Sequence, residues 1–374
     1  MNRVLIVLKD LRTGSGVVQT IMNYYPSIST RFNVDFLLLD EIPNKYTSKI
    51  KGNIYYMPKS IIKYSIKGSQ FLKRIFINNK YDIIHVNIPG PYGALVLKYA
   101  KKYGVNNRIY HCHCPREKSN IKSFLSSNFF TDLCIKRSTY YIACSRSAGM
   151  NVFRKPLFKI LKNRIDVANY KYDVKTRTKL REEIELLEND ILICTVGRME
   201  PEKNPFFLID VLTYLLKNNK NIRFIWFGDG SLKQKIIKYS KEKGIYDKII
   251  YAGVKENVNK WYSAADYFIL PSKYEGLGLV LLEAQCSGLT CFTSSNVPKD
   301  TKISNYIQYI DLKKGASYWG KYITNVICND NNNNNRLLAY NNGYDNDFDI
   351  DSGKYALNII YEDILKNGDD NNEQ

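Results

Sequence analysis

The sequence contains no apolar run that approaches the roughly 20 residues a membrane-spanning helix needs. The apolar stretch near its start, residues 4–8, is too short for a signal peptide and instead predicts a first buried strand. The eight cysteines are scattered through core-like segments, which favours reduced thiols over disulfides. We therefore expect a cytoplasmic protein without a membrane span.

Acidic residues are scarce in the first half of the chain. The 374 residues include 55 Lys and Arg against 36 Asp and Glu, a formal net charge of +19. Residues 1–172 contain 29 of the basic residues and only 8 of the acidic ones, so the whole basic excess lies there. Such a region attracts an anionic membrane surface or another polyanion. Residues 59–80 interleave basic and apolar side chains as an interfacial helix does, but a helix packed on a domain core explains the pattern at least as well.

The most informative segment is residues 267–289, YFILPSKYEGLGLVLLEAQCSGL. It predicts a buried strand, a loop with two glycines, Gly276 and Gly278, and then a helix. Glycines allow the backbone to approach a ligand closely. The unbonded N–H groups at a helix start, together with the helix dipole, attract anions. A diphosphate would therefore lie over the backbone of residues 276–279, which include Leu277 and Leu279.

Two glutamates flank this predicted anion site. Glu275 lies in the loop, and Glu283 follows Gly278 by about 7 to 8 Å of helix at a rise of about 1.5 Å per residue. Glu283 shares a side of the predicted helix with Leu279, so we expect its carboxylate at the rim of a buried face. That is roughly the reach from a diphosphate to its ribose, so Glu283 could bind the ribose hydroxyls while Glu275 meets the sugar. A bare pair of glutamates in a strand–loop–helix is more often structural, but the full pattern PSxxEGLGxVLLEAxxxG favours a nucleotide-sugar site.

The stretch EGLGLVLLEAQCSGLTCFTSSNVPKD resembles the family 4 retaining glycosyltransferases, in particular their bacterial capsule and exopolysaccharide subgroup. The resemblance extends over nearly the whole chain. It implies an α/β architecture, the GT-B fold, in which two Rossmann-like domains with parallel sheets face each other across a cleft. Residues 1–172 would form the acceptor-side domain and residues 173–350 the nucleotide-sugar domain. A helix over residues 351–366 would pack back on the first domain, before a disordered tail at 367–374.

The segment GRMEPEKNP follows a predicted strand at residues 190–196. It matches the diphosphate clamp of the family, which the resemblance places on Arg198 and Lys203. Two fixed cations suit the chemistry, because negative charge builds up on the leaving diphosphate as the glycosidic bond breaks. A basic turn that caps a helix is the simpler alternative.

The segment HCHC at residues 111–114 suggests a metal site at first sight. We discount this interpretation, since neighbouring strand residues point to opposite faces and zinc motifs space their ligands more widely. The resemblance instead implies a histidine that faces the donor sugar. His113 is the first candidate and His111, one pleat deeper on the same face, is the second. A buried structural histidine remains the alternative for either.

The remaining predicted contacts are made by backbone at other strand ends. The resemblance places the loop with Gly14 and Gly16 on the acceptor side and the backbone around Gly253 near the nucleotide base. Because backbone groups would contact the base, no side-chain pattern in the sequence distinguishes uridine from guanosine, although we favour UDP over GDP. The further substrate-binding candidates are Gly197, Gly228 and Val254.

The resemblance assigns the catalytic roles to Glu275, His113, Arg198 and Lys203. It implies a retaining hexosyltransferase-type enzyme that uses front-side displacement and needs no cofactor or metal. A suitable loop with an Asp-x-Asp metal motif is missing. We expect a nucleoside-diphosphate sugar as donor and a lipid-linked saccharide as acceptor, at the inner face of the cell membrane. The product would enter a surface polysaccharide.

Two other interpretations remain open at this point. A GT-B phosphorylase or sugar-nucleotide epimerase would share the architecture. A basic membrane- or nucleic-acid-binding protein on a GT-B scaffold would share the charge, although we expect no nucleic acid as partner.

Overall fold

The chain is described by a computed structural model that covers all residues except 13, 43, 59–65, 115–120, 188, 330–335, 337–345 and 371–374. The side chains of residues 66–67, 121–127, 346 and 368–370 are also outside the description. The chain divides into two compact units. The first comprises Met1–Arg164 and Ile350–Gln374, and the second is Ile165–Asp349. The sequence had suggested divisions after residues 172 and 350.

The first unit contains a seven-stranded parallel sheet in the order β3-β2-β1-β4-β5-β6-β7. Most of its strand residues are buried on both faces, which explains why the strands are continuous apolar runs in the sequence. The strands are β1 Arg3–Leu8, β2 Asn33–Leu38, β3 Ile54–Tyr56, β4 Ile83–Val86, β5 Asn107–Cys112, β6 Tyr140–Ala143 and β7 Lys159–Ile160.

Helices connect these strands. They are α1 Gly16–Ile28, α2 Ile66–Asn78, α3 Gly90–Lys102, α4 Ile121–Arg137 and α5 Arg146–Phe153. In α2, Leu72, Ile75 and Phe76 are buried in the core of the unit. Where it is described, the basic amphipathic segment therefore packs its apolar side on the domain, and residues 59–65 lie outside the described part.

The end of the chain returns to the first unit. The predicted single helix over residues 351–366 is instead two helices, Ile350–Gly353 and Ala356–Asp370, and we refer to the second as the terminal helix. Glycine weakens a helix interior, and the Arg164 guanidinium packs on Gly353, with its carbon 2.2 Å from where a Cβ would lie. Leu357 and Tyr361 of the terminal helix are buried in one of the two cores of this unit.

The second unit contains a six-stranded parallel sheet in the order β10-β9-β8-β11-β12-β13. Its strands are β8 Ile191–Val196, β9 Ile222–Phe227, β10 Ile249–Gly253, β11 Tyr267–Leu270, β12 Thr290–Ser294 and β13 Ile307–Ile310. Its helices are α6 Val174–Glu183, α7 Pro205–Asn218, α8 Lys233–Glu242, α9 Val258–Ala264, α10 Leu279–Cys286 and α11 Gly315–Asn329.

The order of this second sheet reverses between β8 and β11. The chain runs outward from β8 through β9 to β10 on one side, and from β11 through β12 to β13 on the other. The loops that follow β8 and β11 therefore lie side by side at the carboxyl edge, where open α/β sheets bind their ligands. None of the described helices is both long and apolar enough to cross a bilayer.

Candidate functional site

The loops after β8 and β11 are joined directly in the second unit. The backbone N–H of Lys273 donates to the carbonyl oxygen of Glu202 at 2.8 Å. Because these loops carry the two motifs that the sequence singled out, this contact brings both motifs to one place at the edge of the sheet.

Lys203 and Glu275 form an ion pair across the two loops. Lys203 Nζ lies 2.6 Å from Glu275 Oε1, and their side chains are only 19% and 9% exposed. Ser272 Oγ donates to the same carboxylate oxygen at 2.6 Å. Two of the predicted catalytic residues thus contact each other, and the carboxylate is fixed by two donors. Ser272 was not predicted from the sequence, because its role depends on how the loop brings its hydroxyl to Glu275.

Gly278 begins helix α10 with a left-handed backbone, at φ +81°. This conformation strains any residue with a Cβ, which explains the glycine. No side chain of the described residues caps this helix start, and the Leu281 N–H donates to the Gly278 carbonyl at 2.9 Å. A helix start without a side-chain cap favours an anion, which stays a prediction for this turn. Thr301 Oγ1 anchors the loop before this helix by donating to the carbonyl oxygen of Leu277 at 2.6 Å.

Glu283 lies inside the second unit, whereas the sequence placed it at the rim of a buried face. Its side chain is buried, as is every residue of α10 from 281 to 286. The Tyr262 hydroxyl donates to Glu283 Oε2 at 2.9 Å. Burial, and then the adjacent carboxylate, raise the pKa of Tyr262 well above its ordinary value. Tyr262 therefore stays protonated and acts as a hydrogen-bond donor to Glu283.

Arg198 does not reach the Lys203–Glu275 pair. Its side chain is 61% exposed and pairs with Glu202, with Arg198 Nη2 2.6 Å from Glu202 Oε1. The structure thus places one predicted clamp residue inside the site and the other on its exposed side.

The predicted glycines at the other strand ends pack tightly on one another. A Cβ on Gly228, whose φ is +137°, would lie 2.2 Å from the Gly197 carbonyl oxygen. The Gly228 N–H donates to the Gly253 carbonyl at 2.8 Å. These contacts require glycine at position 228 and hold three strand ends together, whereas Val254 beyond them is 61% exposed.

In the first unit, the predicted histidines belong to a buried group. The rings of His111 and His113 lie side by side with centroids 3.9 Å apart, as expected for residues on one strand face. His111 Nδ1 is 3.1 Å from His85 Nε2, and His85 Nδ1 is 2.6 Å from the Tyr361 hydroxyl. His113 Nε2 is 2.9 Å from Oδ1 of the buried Asn87. Three members of this group, His85, Asn87 and Tyr361, were not predicted from the sequence.

Burial keeps these imidazoles neutral. It lowers the pKa of His85 and of His113 to about 3, and the pKa of His111 well below its ordinary value. The neighbouring thiol of Cys112 is also buried, and its pKa is raised. Over the described residues, no group of three or more His, Cys, Asp or Glu side chains is arranged to hold a metal ion.

The loop after β1 contains the predicted glycines Gly14 and Gly16. Gly14 has φ +82° and Gly16 begins α1, whereas residue 13 between Arg12 and Gly14 is outside the described part. The buried Asp10 accepts from Arg12 Nε at 2.8 and 2.9 Å, and this pairing fixes the guanidinium at the end of β1.

Comparison with known proteins agrees with this architecture. The family described as "Glycosyl transferases group 1" matches residues 176–307. The putative glycosyltransferase EpsF of Bacillus subtilis is 26% identical over 348 residues, which cover 87% of this chain and 88% of EpsF. The UDP-Gal:alpha-D-GlcNAc-diphosphoundecaprenol alpha-1,3-galactosyltransferase of Escherichia coli is 25% identical over 246 residues, which cover 63% of each chain.

Among solved structures, Anabaena Alr3699/HepE in complex with UDP and glucose superposes with a TM-score of 0.78 at 14% identity, over 97% of this chain and 100% of that one. At this identity the likeness concerns the fold, which is the GT-B fold. Over residues 176–307, which include both motifs joined at the edge of the second sheet, the chain is similar to the group 1 glycosyl transferases.

Proposed function

We propose that this chain is a retaining glycosyltransferase that takes a sugar from a nucleoside-diphosphate sugar, with UDP favoured over GDP. The observation that carries the proposal is the Lys203–Glu275 contact beside the helix start at Gly278. It puts a cation, a carboxylate and a helix start without a side-chain cap at one strand end, which are the groups that a diphosphate and a sugar require. The UDP in the HepE complex and the UDP-Gal named for the Escherichia coli relative support the choice of nucleotide.

In the proposed reaction, the bond between the anomeric carbon and the diphosphate oxygen breaks. The acceptor hydroxyl oxygen bonds to the same face of that carbon, and its proton passes to the departing phosphate oxygen. Lys203, Arg198 and the N–H groups at the start of α10 stabilise the negative charge on the diphosphate, so no metal or cofactor is needed. Glu275 holds the sugar hydroxyls and stabilises the positive charge on the sugar ring, and His113 contacts the sugar.

The nucleoside would be held by the remaining predicted residues. Glu283 accepts hydrogen bonds from the ribose hydroxyls through the carboxylate lone pairs that its contact with Tyr262 does not use. The backbone at Gly253 and Val254 contacts the base, and the loop with Gly14 and Gly16 faces the acceptor.

The acceptor would be a lipid-linked saccharide at the inner face of the cell membrane, and the product part of a surface polysaccharide. The diphosphoundecaprenol-linked acceptor named for the Escherichia coli relative supports this step. The basic charge of residues 1–172 would attract anionic lipid. In the same part of the chain, Leu157 and Ile160 are 71% and 43% exposed and follow the exposed Lys155, which suits a bilayer surface.

The donor can be tested with purified full-length protein. Thermal unfolding would be measured with a panel of UDP- and GDP-sugars, and hydrolysis of the best binder would be followed without acceptor by NMR. We expect a UDP-sugar to raise the unfolding temperature. The anomer of the free sugar that forms first, before mutarotation, should have the same configuration as the UDP-sugar. Release of the inverted anomer would contradict a retaining reaction, and loss of activity with EDTA would contradict metal independence.

Lys203→Ala provides the matching site variant. We expect it to lower turnover on the order of 10²-fold, because it removes the cation that stabilises the leaving diphosphate. Lys238→Ala, which removes an 81% exposed lysine from α8, is the control and should keep full activity. Full activity of Lys203→Ala would reject the site.

A further inference from the structure

All three histidines of the chain, His85, His111 and His113, lie in the buried group described above. Strands β4 and β5 are adjacent and parallel, and His85 is paired in register with Ile109, two residues before His111. The group is therefore built by the central strands of the first sheet. Its outer member, His113, follows the last residue of β5 at the carboxyl edge.

Asn87 determines which nitrogen of His113 carries the proton. The Asn87 amide group donates from Nδ2 to the carbonyl oxygen of His85 at 3.3 Å. This contact fixes the orientation of the amide, so that Oδ1 is the atom 2.9 Å from His113 Nε2. A carbonyl oxygen can only accept, and Nε2 must therefore donate. Because burial keeps His113 neutral, Nδ1 is left with an unprotonated lone pair.

The other end of the group is set by Tyr361 of the terminal helix. Burial raises the pKa of Tyr361 well above its ordinary value, so its hydroxyl keeps its proton and needs an acceptor. His85 Nδ1, at 2.6 Å, is the acceptor that the structure provides. His85 must then carry its own proton on Nε2 and donate it to His111 Nδ1 at 3.1 Å. The proton of His111 is consequently on Nε2.

Two nitrogens in this group have no hydrogen-bond partner among the described residues, namely His111 Nε2 and His113 Nδ1. Because His111 carries its proton on Nε2, that nitrogen is a donor. Because His113 Nδ1 is unprotonated, it is an acceptor. Buried polar atoms are normally paired, so an unpaired donor and an unpaired acceptor on two adjacent rings indicate a place for a ligand group. A hydroxyl can both donate and accept, whereas a carboxylate or a carbonyl oxygen can only accept.

We propose that Asn87 is a positioning residue that holds His113 as the imidazole protonated on Nε2, so that His113 Nδ1 accepts a hydrogen bond from a sugar hydroxyl. Tyr361 and His85 fix the proton of the adjacent His111 on Nε2. This inference rests on the proposed function, in which His113 contacts the sugar. It adds the chemical class of the group that is recognised. The substrate presents a hydroxyl at this position, and a sugar with a carboxylate there is rejected because two lone pairs would face each other.

The proton positions can be measured directly by NMR on the full chain labelled with nitrogen-15 only at histidine. With three histidines, the spectrum contains six ring-nitrogen signals, assigned by the loss of two signals in each single His→Gln variant. We expect all three rings to be neutral at pH 7, with the proton on Nε2 in each. A His113 ring that is protonated on Nδ1, is charged, or exchanges between the two forms would overturn the proposal.

Variants of Asn87 and Tyr361 separate positioning from simple packing. Asn87→Leu removes the acceptor and should let His113 populate both protonated forms, whereas Asn87→Asp keeps an oxygen acceptor and should restore Nε2–H. Tyr361→Phe should change the signals of His85 and His111 and leave His113 protonated on Nε2. Tyr355→Phe, at a tyrosine that is 50% exposed just before the terminal helix, is the control and should change none of them. If Asn87→Leu does not fold, the wild-type and Asn87→Asp spectra still decide the question.

Adding the sugar nucleotide that the protein hydrolyses gives the final measurement. We expect the His113 Nδ1 signal to shift by several parts per million with the sugar nucleotide and to stay in place with UDP alone. An unmoved Nδ1 signal with a bound sugar nucleotide would refute this inference and leave the proposed function standing. The predicted proton positions in a protein that binds no sugar nucleotide would instead refute the proposed function.

Discussion

Lys203 Nζ lies 2.6 Å from Glu275 Oε1, so the cation proposed to hold the diphosphate is paired with the carboxylate proposed to hold the sugar. When a diphosphate approaches Lys203, it competes with Glu275 for the same ammonium group. The Glu275 carboxylate then remains held by the Ser272 hydroxyl, which donates to it independently of Lys203. The pair can therefore open without releasing Glu275 from its loop.

This competition leads to a prediction for Glu275→Gln. The amide keeps the shape of the side chain and still accepts from Ser272, but it no longer attracts Lys203. We expect UDP to bind as well as or up to about tenfold more tightly, while turnover falls on the order of 10²-fold. Calorimetric titration with UDP and a turnover assay would measure both.

The control for this change is Glu242→Gln, which removes the carboxylate of an exposed ion pair with Lys238 on α8. It should leave UDP binding and turnover as they are. Markedly weaker UDP binding by Glu275→Gln would show that Glu275 supports Lys203 instead of competing with the diphosphate.

Gly278→Ala tests whether the helix start binds the anion. An alanine at φ +81° costs about 1 kcal/mol and shifts the first turn of α10, so we expect nucleoside-diphosphate affinity to fall at least about tenfold. Gly244→Ala is a matched control, because Gly244 has φ +69°, follows α8 and has no atom within 4 Å of its Cβ position. It should lower the unfolding temperature by a similar amount and leave UDP affinity intact. Equal affinity losses in both variants would mean that strain alone, and not the site, explains the effect.

Tyr262→Phe tests the support of Glu283. Removing the hydroxyl deprives a buried carboxylate of a donor, which we expect to lower the free energy of unfolding by about 1–3 kcal/mol. Affinity for UDP should fall as well, and the loss should vanish with 2′,3′-dideoxy-UDP, which lacks the ribose hydroxyls.

Tyr239→Phe removes a comparable tyrosine–carboxylate contact, to Asp210 at 2.7 Å, and serves as the control for UDP affinity. An equal loss of affinity for UDP and for its dideoxy analogue in Tyr262→Phe would argue against a ribose contact by Glu283.

The histidine group predicts acid sensitivity of the first unit. The folded chain holds His85 and His113 with a pKa of about 3, whereas the unfolded value is 6.5, so the unfolded chain binds protons that the folded chain does not. Stability is therefore unaffected above pH 6.5 and decreases as the pH falls from 6.5 toward 3. Each histidine contributes a slope of about 1.4 kcal/mol per pH unit in this window.

The distribution of tryptophan makes this loss measurable. Trp226, Trp261 and Trp319 are all the tryptophans of the chain and lie in the second unit. In urea titrations at pH 7 and pH 5, the histidine NMR signals should report earlier unfolding at pH 5, with a smaller change in the tryptophan fluorescence midpoint. An unchanged midpoint for the histidine signals would show that these rings already bind protons in the folded state.

The sequence predicted the parts of the site that are local in the chain. The α/β architecture follows from apolar strand runs, and Gly278, Glu275 and Lys203 each stand in a short pattern whose chemistry can be stated. The contact between Lys203 and Glu275 could be expected once the strand order was known, because it depends on which two loops end at the same place.

Contacts between distant residues were beyond the reach of such patterns. Tyr361 meets His85 across 276 residues, and no periodicity along the chain encodes that distance. The break at Gly353 likewise depends on Arg164, which packs on the helix from far away in the sequence. Glu283 was expected at a rim because it shares a side of the helix with Leu279, but neighbouring elements bury every residue from 281 to 286.

The return of the terminal helix to the first unit has a consequence for biosynthesis. The terminal helix contributes Leu357, Ile360, Tyr361 and Ile364 to a core whose other buried residues lie between positions 4 and 161. On a ribosome, the second unit can emerge whole and fold while the first still exposes the apolar surface of β1 and β2. The unit that contains the earlier part of the chain therefore completes its core only once the terminal helix has been made.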